Sequence, residues 1–330
     1  MLSVSACSKP VDDASKLRLG YLLNASHAVP ITGLESGKFS NTRAQYFSSG
    51  GYLLNALITK NLDLAYIGPG PYLNAISKGV KLKVLALSSL GGNSLILDHK
   101  YKPGKTYKIK RLAVPQLGNT QDLLAKYIVG ASRAQKDRYK TLSPEMKSML
   151  EAPKVKFSKR LEYLAVNPAE IETIFAAGDI DAALVAEPWG SLLEQRSYIN
   201  LSKSSPEGAL SLIQELDGDR NSFIQEKLVE INRFPAALLV VDEDFYSQHQ
   251  QQVDKFLKQQ NQILESIQAD RNQAARLITE HLRKITKQDI QENFIALSLR
   301  KLKFGTELDQ AKLESLRQIA IDHKYIRNAN

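Results

Sequence analysis

The sequence lacks the residues and motifs on which several large classes of protein depend. Its 330 residues include one cysteine, Cys7, which excludes an internal disulfide. No run reaches the ~18 apolar residues of a membrane-spanning helix. CxxC, HExxH, GxSxG and Walker motifs are absent, and the five histidines are far apart. We therefore expect neither a cofactor nor a metal ion.

A dinucleotide-binding fingerprint is also incomplete. Residues 68–73 read GPGPYL, between a predicted strand and a predicted helix. The third glycine of GxGxxG is replaced by Leu73, and Pro69 and Pro71 remove backbone N–H groups that phosphates would need.

The composition is that of a globular protein with two cores. The apolar fraction is 43%, and 330 residues are enough for two domains. The formal net charge of +9 suggests attraction to anions. Lysine and arginine are scattered and form no basic stripe, so we expect no nucleic-acid partner.

The most informative stretch is residues 110–130, KRLAVPQLGNTQDLLAKYIVG. An apolar run at 112–114 predicts a buried strand, and residues 115–119 predict a turn. Thr120 is a suitable N-cap for a helix that Gly130 would end. The stretch is thus predicted to fold as strand, turn and helix.

Such a unit directs free backbone N–H groups and the positive end of a helix dipole toward one point. Gly118, Asn119, Thr120 and Gln121 could therefore bind a small anion. The alternative is an ordinary turn that binds nothing. Asp122 would repel an anion unless it turned toward a cation.

Two later segments share one pattern, which predicts two lobes on the same βα plan. Residues 63–67 form a strand leading into GPGPY, and residues 181–185 form a strand leading into AEPW. Glu187 and Trp189 then face the cleft between lobes. Glu187 could receive a cationic group, hold an arginine or be solvated. Trp189 could be interlobe core or an apolar wall for a ligand.

Polar loops after the first strands complete the candidates, because ligands bind at the carboxyl edge of open α/β sheets. Asn24, Ser26 and His27 follow the strand at 17–22, and Ser49 and Gly50 open a later helix. His27 could contact a ligand or cap its own loop.

The N-terminus contains a possible lipidation signal. Residues 4–7, VSAC, fit a bacterial lipobox, and residues 8–16 read as a flexible tether. Six residues before Cys7 are too few for a signal peptide, so we expect the natural chain to start further upstream. The alternative is a lone cysteine in a loose tail.

Four segments resemble the periplasmic binding proteins of sulfonate, nitrate and taurine importers, and most strongly the aliphatic-sulfonate branch. They are LRLGYLLNASHAVPITGLESGKF at 17–39, LDLAYIGPGPYLNAISKG at 62–79, AVPQLGNTQD at 113–122 and GDIDAALVAEPWGSLL at 178–193. They keep the family order and cover most of residues 17–195.

The resemblance implies an α/β fold of the type II periplasmic binding protein class, with two Rossmann-like lobes and a ligand cleft between them. Residues 1–16 would be signal remnant and tether, residues 17–93 and 242–330 one lobe, and residues 94–241 the other. The resemblance and the residue patterns together give the predicted ligand contacts. They are Asn24, Ser26, His27, Ser49, Gly50, Gly68, Pro69, Gly70, Gly92, Gly118, Asn119, Thr120, Gln121, Glu187 and Trp189.

The implied function is that of a solute-binding lipoprotein of an ABC importer, with aliphatic sulfonate or taurine as ligand. Its partners would be an ABC permease with its ATPase, and a membrane through a lipid on Cys7. It would be a monomer in the periplasm or on the outer face of the cytoplasmic membrane.

Relatives bind nitrate, bicarbonate or the pyrimidine precursor of thiamine, so these ligands stay open as alternatives. Related enzymes of this fold make the thiamine pyrimidine and carry a cysteine-rich motif. This chain has Cys7 alone.

Overall fold

Two mixed sheets organise the computed structural model, which describes residues 16–101, 107–140, 155–201, 222–305 and 310–327. The first sheet has the strand order β11-β4-β10-β3-β1-β2 and the second has the order β7-β6-β8-β5-β9. The strands are β1 Leu17–Leu22, β2 Thr42–Phe47, β3 Leu64–Ile67, β4 Leu82–Gly91, β5 Asn93–Leu97, β6 Tyr107–Val114, β7 Val155–Ala165, β8 Ala182–Ala186, β9 Ile199–Asn200, β10 Pro235–Asp242 and β11 Leu302–Phe304. We call each sheet with its packed helices a lobe.

Helices cover the sheets. They are α1 Ala28–Glu35, α2 Gly50–Ile58, α3 Pro69–Ile76, α4 Thr120–Lys140, α5 Ile171–Ala176, α6 Trp189–Gln195, α7 Ser222–Ile231, α8 Glu243–Ala269, α9 Arg271–Thr286, α10 Glu292–Arg300 and α11 Gln310–Asp322, with short 3-10 turns at Ala25–His27 and Pro168–Glu170. No helix in the described ranges is both long enough and apolar enough to cross a membrane. The predicted α/β class is confirmed, with two sheets as expected.

Three neighbouring strands in each sheet run parallel, which brings the loops that follow them to one edge of the sheet. β1 pairs in parallel with β2 and β3, and β6 pairs in parallel with β7 and β8. β3 is buried along its whole length, as its apolar sequence predicts. The polar loops that follow these strands therefore face one another across the gap between the sheets.

An apolar stripe on α8 packs into the first core. Val253, Phe256, Leu264 and Ile267 are buried there, and Phe256 stacks on Phe39 with ring centroids 4.5 Å apart. A stripe that recurs at helical spacing buries one face of the helix against the sheet.

The chain passes between the sheets at two adjacent points. β4 ends at Gly91 and β5 begins at Asn93, so Gly92 alone separates the two sheets. Gly91 and Gly92 have φ values of +79° and +66°, a region that favours glycine. The return segment is residues 232–234, and Gly91 N donates to Phe234 O at 3.0 Å.

The predicted lobe boundary after residue 241 assigns residues 236–241 to the second lobe, and the structure places them in the first sheet instead. They belong to β10, which pairs antiparallel with β3 and β4. Helix α11 was expected in the first lobe, yet it contributes to both cores. Leu313 packs with first-lobe residues, and Leu316 and Ala320 pack with second-lobe residues. The lobe boundaries themselves stay a prediction.

Gly130 does not end its helix. Helix α4 continues through Gly130 to Lys140, beyond the predicted end. A Cβ at Gly130 would lie 2.2 Å from Nδ1 of His323, so the absence of a side chain there lets the C-terminal segment pack against α4.

Candidate ligand-binding site

A cleft of about 550 Å³ lies between the two sheets. It collects most of the predicted ligand contacts: Asn24, Ser26, His27, Ser49, Gly50, Gly68, Asn119, Thr120, Gln121 and Trp189. The sequence analysis missed other lining residues, among them Tyr46, Phe47, Gln116, Asn167 and Pro168. Tyr46 and Phe47 end β2, and Asn167 follows the end of β7. Like Asn24, they lie at the carboxyl end of a strand, where ligands bind in open α/β sheets, so the same reasoning could have predicted them.

The described residues that line this cleft include no lysine, arginine, aspartate or glutamate. A ligand in it would meet amide, hydroxyl, imidazole and aromatic groups, and backbone N–H. No side chain of the lining carries a formal charge at neutral pH, since His27 is neutral for the reason that follows.

His27 is a neutral hydrogen-bond donor in the cleft wall. The ring is 1% exposed, and burial lowers its pKa from 6.5 to about 3. Leu22 N donates to His27 Nδ1 at 3.2 Å, so the proton of the neutral ring is on Nε2. The Nε2–H group has no hydrogen-bond partner among the described residues and belongs to a lining side chain.

Asn24 and Ser26 fix the loop that precedes His27. Asn24 Oδ1 accepts from Ser26 N at 3.1 Å and from Ser26 Oγ at 2.6 Å, and so caps the turn. Its oxygen is therefore occupied, and the Asn24 NH₂ group is the donor that it retains for a ligand.

The first turn of α2 opens on the cleft from the first lobe. Ser49 is its N-cap and accepts from Tyr52 N at 3.3 Å. Gly50 N has no intrahelical acceptor, as expected for the first helical residue, and Gly50 lines the cleft. This helix end therefore presents a free donor and a positive dipole end.

The first turn of α4 opens on the cleft from the second lobe, and its cap differs from the prediction. Asn119 is the N-cap, because its Oδ1 accepts from Asp122 N at 2.8 Å, and Thr120 is the first helical residue. The N–H groups of Thr120 and Gln121 have no partner among the described residues. Thr120 Oγ1 accepts from Gly70 N at 3.2 Å and keeps its own proton to donate.

Asp122 turns away from this helix end, toward a cation. Its Oδ2 accepts from Gly118 N and from Lys126 Nζ, both at 2.8 Å. Lys126 is thus the cation that the predicted anion site required. Because the aspartate charge is neutralised by Lys126, it does not oppose an anion at the N–H groups of α4.

The N-terminus of α3 has no donors left for a ligand. Pro69 and Pro71 have no N–H, and Gly70 N is bonded to Thr120. Cβ atoms at Gly68 and Gly70 would lie 2.3 Å from Thr120 Oγ1 and 2.6 Å from Thr120 N. Pro69 and Gly70 lie outside the lining, and the glycines serve the packing of α3 on α4.

Gly92 and Gly118 also lie outside the lining. Gly92 is the residue between the sheets, and a Cβ there would be 2.6 Å from Leu302 Cδ2. Gly118 has a φ of +83°, and a Cβ there would meet only Asn74, at 3.7 Å. A left-handed backbone, and not close approach of a ligand, requires glycine at 118.

Glu187 is buried outside the cleft, contrary to the predicted contact. Its carboxylate accepts from Ser191 N at 3.0 Å, Ser298 Oγ at 3.1 Å and Ser94 Oγ at 3.2 Å, and pairs with Lys301 Nζ at 3.2 Å. Burial lowers the pKa of Lys301, but Glu187 and Glu194 outweigh it and raise that pKa above its ordinary value. The glutamate holds a lysine of the first lobe, where the sequence suggested an arginine.

Trp189 lies in the cleft wall, and its contact with a ligand stays a prediction. Its ring packs against the second-lobe core that contains Phe175 and Ile171, and it also lines the cleft. Cys7 lies outside the described residues. No cluster of three or more His, Cys, Asp or Glu side chains suited to a metal ion occurs in the part of the chain that the structure describes.

Residues 12–203 match the NMT1-like family, which is more than half of the chain. The chain belongs to the NMT1-like family. A protein of Brucella abortus strain 2308, named provisionally as a binding protein, is 23% identical over 83% of this chain and 81% of its own.

Solved structures show the fold of this family member. The alkanesulfonate-binding protein of Xanthomonas axonopodis pv. citri, bound to MOPS, is similar with a TM-score of 0.62 and 18% identity, over 94% of this chain and 92% of its own. The nitrate-binding protein of Synechocystis is similar with a TM-score of 0.60 and 15% identity, over 96% and 84%. The fold is that of the periplasmic binding proteins.

Proposed function

We propose that this protein is the solute-binding component of an ABC importer and binds a small organic anion, with aliphatic sulfonates first. The observation that carries this proposal is the cleft with an uncharged lining onto which the first turns of α2 and α4 open from opposite lobes. The sulfonate- and nitrate-binding neighbours of the same fold support it.

The electrostatics favour a single negative charge. Each helix N-terminus acts as about half a positive charge, and the two together match one anionic head group. Gly50, Thr120 and Gln121 would donate from the backbone, and His27 Nε2 from the side. A doubly charged ligand would lack a compensating cation in the lining.

The volume favours an organic tail over an inorganic anion. A cleft of about 550 Å³ is within the range of small-molecule sites and far exceeds what nitrate or bicarbonate needs. Tyr46, Phe47 and Trp189 offer apolar surface to a tail. Because the lining has no carboxylate for an ammonium group, alkanesulfonates rank above taurine.

A pyrimidine, such as the precursor of thiamine, is the second candidate. The uncharged lining favours it as well, because aromatic side chains can stack on a flat ring while Asn24, Gln116 and Asn167 bond to its edge. Nitrate and bicarbonate rank behind both on size.

We infer binding without turnover. Ser26 Oγ donates to Asn24 and His27 Nδ1 accepts from Leu22 N, so this lining hydroxyl and the neighbouring imidazole are bonded to separate partners. A nucleophile activated by a base would need a hydrogen bond between the two. We further propose attachment to the membrane through Cys7 and a periplasmic or outer-surface location.

A thermal-shift screen with calorimetry tests this function. The panel is butanesulfonate, MOPS, taurine, nitrate, bicarbonate and a thiamine-precursor pyrimidine. A ligand at one hundred times its Kd stabilises by about 2.7 kcal/mol, a Tm shift of roughly 5–10 °C here. Trp189, the one tryptophan, should change its fluorescence. If butanesulfonate has no effect and the pyrimidine binds, the second candidate replaces the first. Product formed on long incubation would contradict binding without turnover.

A further inference from the structure

The side chain of Asn93 lies between the cleft and the point where the chain passes from one sheet to the other. Asn93 is the first residue of the second sheet and is 1% exposed. Its Oδ1 accepts from Gln121 Nε2 at 3.0 Å, and its Nδ2 donates to Gly91 O at 3.2 Å. One carboxamide thus contacts a lining residue on one side and the last residue of β4 on the other.

The backbone of Asn93 is tied to the second crossing. Asn93 N donates to Asn232 Oδ1 at 2.9 Å, and Asn232 Nδ2 donates to Asn93 O at 3.1 Å. This reciprocal pair joins the two segments that connect the lobes. Any rotation of one lobe against the other must turn the backbone at Gly91 and Gly92, which are the two residues before Asn93.

Gln121 connects this network to the ligand site. It is the second residue of α4, and its free N–H group is one of the proposed anion donors. Its side chain does not point to a ligand but reaches Asn93. A ligand bound at this N–H would hold the first turn of α4 in place. It would thereby also restrain the Gln121 side chain where it contacts the Asn93 carboxamide.

We propose that Gln121 and Asn93 are positioning residues that couple occupation of the cleft to rotation of the lobes about Gly91 and Gly92. This inference rests on the proposed function for the identity of the ligand. The chain from ligand to pivot is short: the N–H of Gln121, its carboxamide, the carboxamide of Asn93 and the carbonyl of Gly91. Hydrogen bonds join the last three members, and the first is the donor left free for a ligand. Hinges that absorb domain closure consist of a few residues of this kind.

The test measures the distance between the lobes with and without ligand. Spin labels on Asn55→Cys and Ala176→Cys, in a Cys7→Ser background, report the distance in the full chain. Gln121→Met and Asn93→Ala each remove part of the network, and Gln318→Met removes an exposed bond to Asp322 as the matched control. Butanesulfonate and MOPS are the probes.

We expect both network variants to broaden the ligand-free distance distribution and to raise the Kd about fivefold, as for one lost hydrogen bond. The double variant should raise the Kd no further than Asn93→Ala, because the two residues act through one bond. Gln318→Met should match the wild type in both measurements.

Unchanged distributions in folded Gln121→Met and Asn93→Ala would overturn the inference, as would fully additive effects on Kd. If Asn93→Ala does not fold, Gln121→Met, at a partly buried side chain, decides alone. If no probe binds the wild type, the sulfonate proposal fails separately, and the ligand-free distributions still decide whether Asn93 and Gln121 hold the pivot.

Discussion

Gly70 of the first lobe donates its backbone N–H to Thr120 Oγ1 of the second lobe at 3.2 Å. This bond joins the first turns of α3 and α4 beside the cleft. The close approach of the two helices leaves no room for a side chain at Gly70, so the contact between the lobes is sensitive to a single methyl group.

Gly70→Ala should separate the two helices and open the cleft. Its Cβ would lie 2.6 Å from backbone atoms of Asn119 and Thr120, which cannot rotate away. We expect a loss of about 1–3 kcal/mol in stability and a larger radius of gyration by small-angle scattering. Gly305→Ala, where nothing lies within 4 Å, is the control and should stay within ~0.5 kcal/mol. Equal scattering from both variants would show that the contact does not hold the lobes.

Thr120→Val should weaken binding of the anion that the ligand screen identifies by about 1–2 kcal/mol, near tenfold. The substitution removes a hydroxyl donor while keeping the side-chain shape. Thr120→Ser retains the hydroxyl and should bind within about twofold of the wild type. Calorimetry measures both. Equal affinities for the wild type and the valine variant would show that the Thr120 hydroxyl does not bind the anion.

His27 should make stability fall with acidity. Its pKa is about 3 in the folded protein against 6.5 in the unfolded chain, so below pH 6.5 the unfolded chain binds the extra proton. The free energy of unfolding should therefore drop by about 1.4 kcal/mol per pH unit between about pH 6 and 4 on account of this residue. Denaturant melts of His27→Gln should lack this slope, and those of exposed His249→Gln should keep it. Identical slopes in wild type and His27→Gln would contradict a neutral buried ring.

Glu187→Gln should act on stability and not on ligand contacts. Lys301 would lose one of its two carboxylate partners in a buried site, which costs about 3 kcal/mol. Glu194→Gln, at a carboxylate that is 30% exposed, should cost under about 1 kcal/mol. Denaturant melts compare the two. A Glu187→Gln protein with wild-type stability but lost affinity would show that Glu187 contacts the ligand, as the sequence predicted.

Cys7 should carry diacylglycerol when the protein is expressed in a bacterium with a complete signal peptide. The prediction rests on VSAC at residues 4–7 and the polar segment after it. Mass spectrometry of membrane-processed protein measures the modification. An unmodified Cys7 would contradict the lipoprotein proposal. Release of a Cys7→Ser variant into the soluble fraction would support it.

Local patterns in the sequence were enough to find the cleft. Strand-end loops identified Asn24, His27 and Thr120, because parallel strands bring their carboxyl ends to one edge whatever the rest of the chain does. The stripe on α8 was likewise predictable from helical spacing.

What the sequence could not predict depends on partners far along the chain. Glu187 looked available until Ser298 and Lys301, more than a hundred residues later, were found to occupy it. Gly130 looked like a helix end because nothing nearby indicates that His323 packs there. The place of β10 in the first sheet depends on antiparallel pairing with β3 and β4, which its apolar run alone does not specify.

Helix α11 would set a mechanical limit on the lobe rotation proposed above. Leu313 and Leu316 lie one turn apart on the same rigid element but are seated in the cores of different lobes. When the lobes rotate, α11 can travel with only one of them, so a leucine must begin to leave its pocket on the other. The cost of exposing that side chain rises with the angle, and the helix therefore acts as a stop that a chain ending before Gln310 would lack.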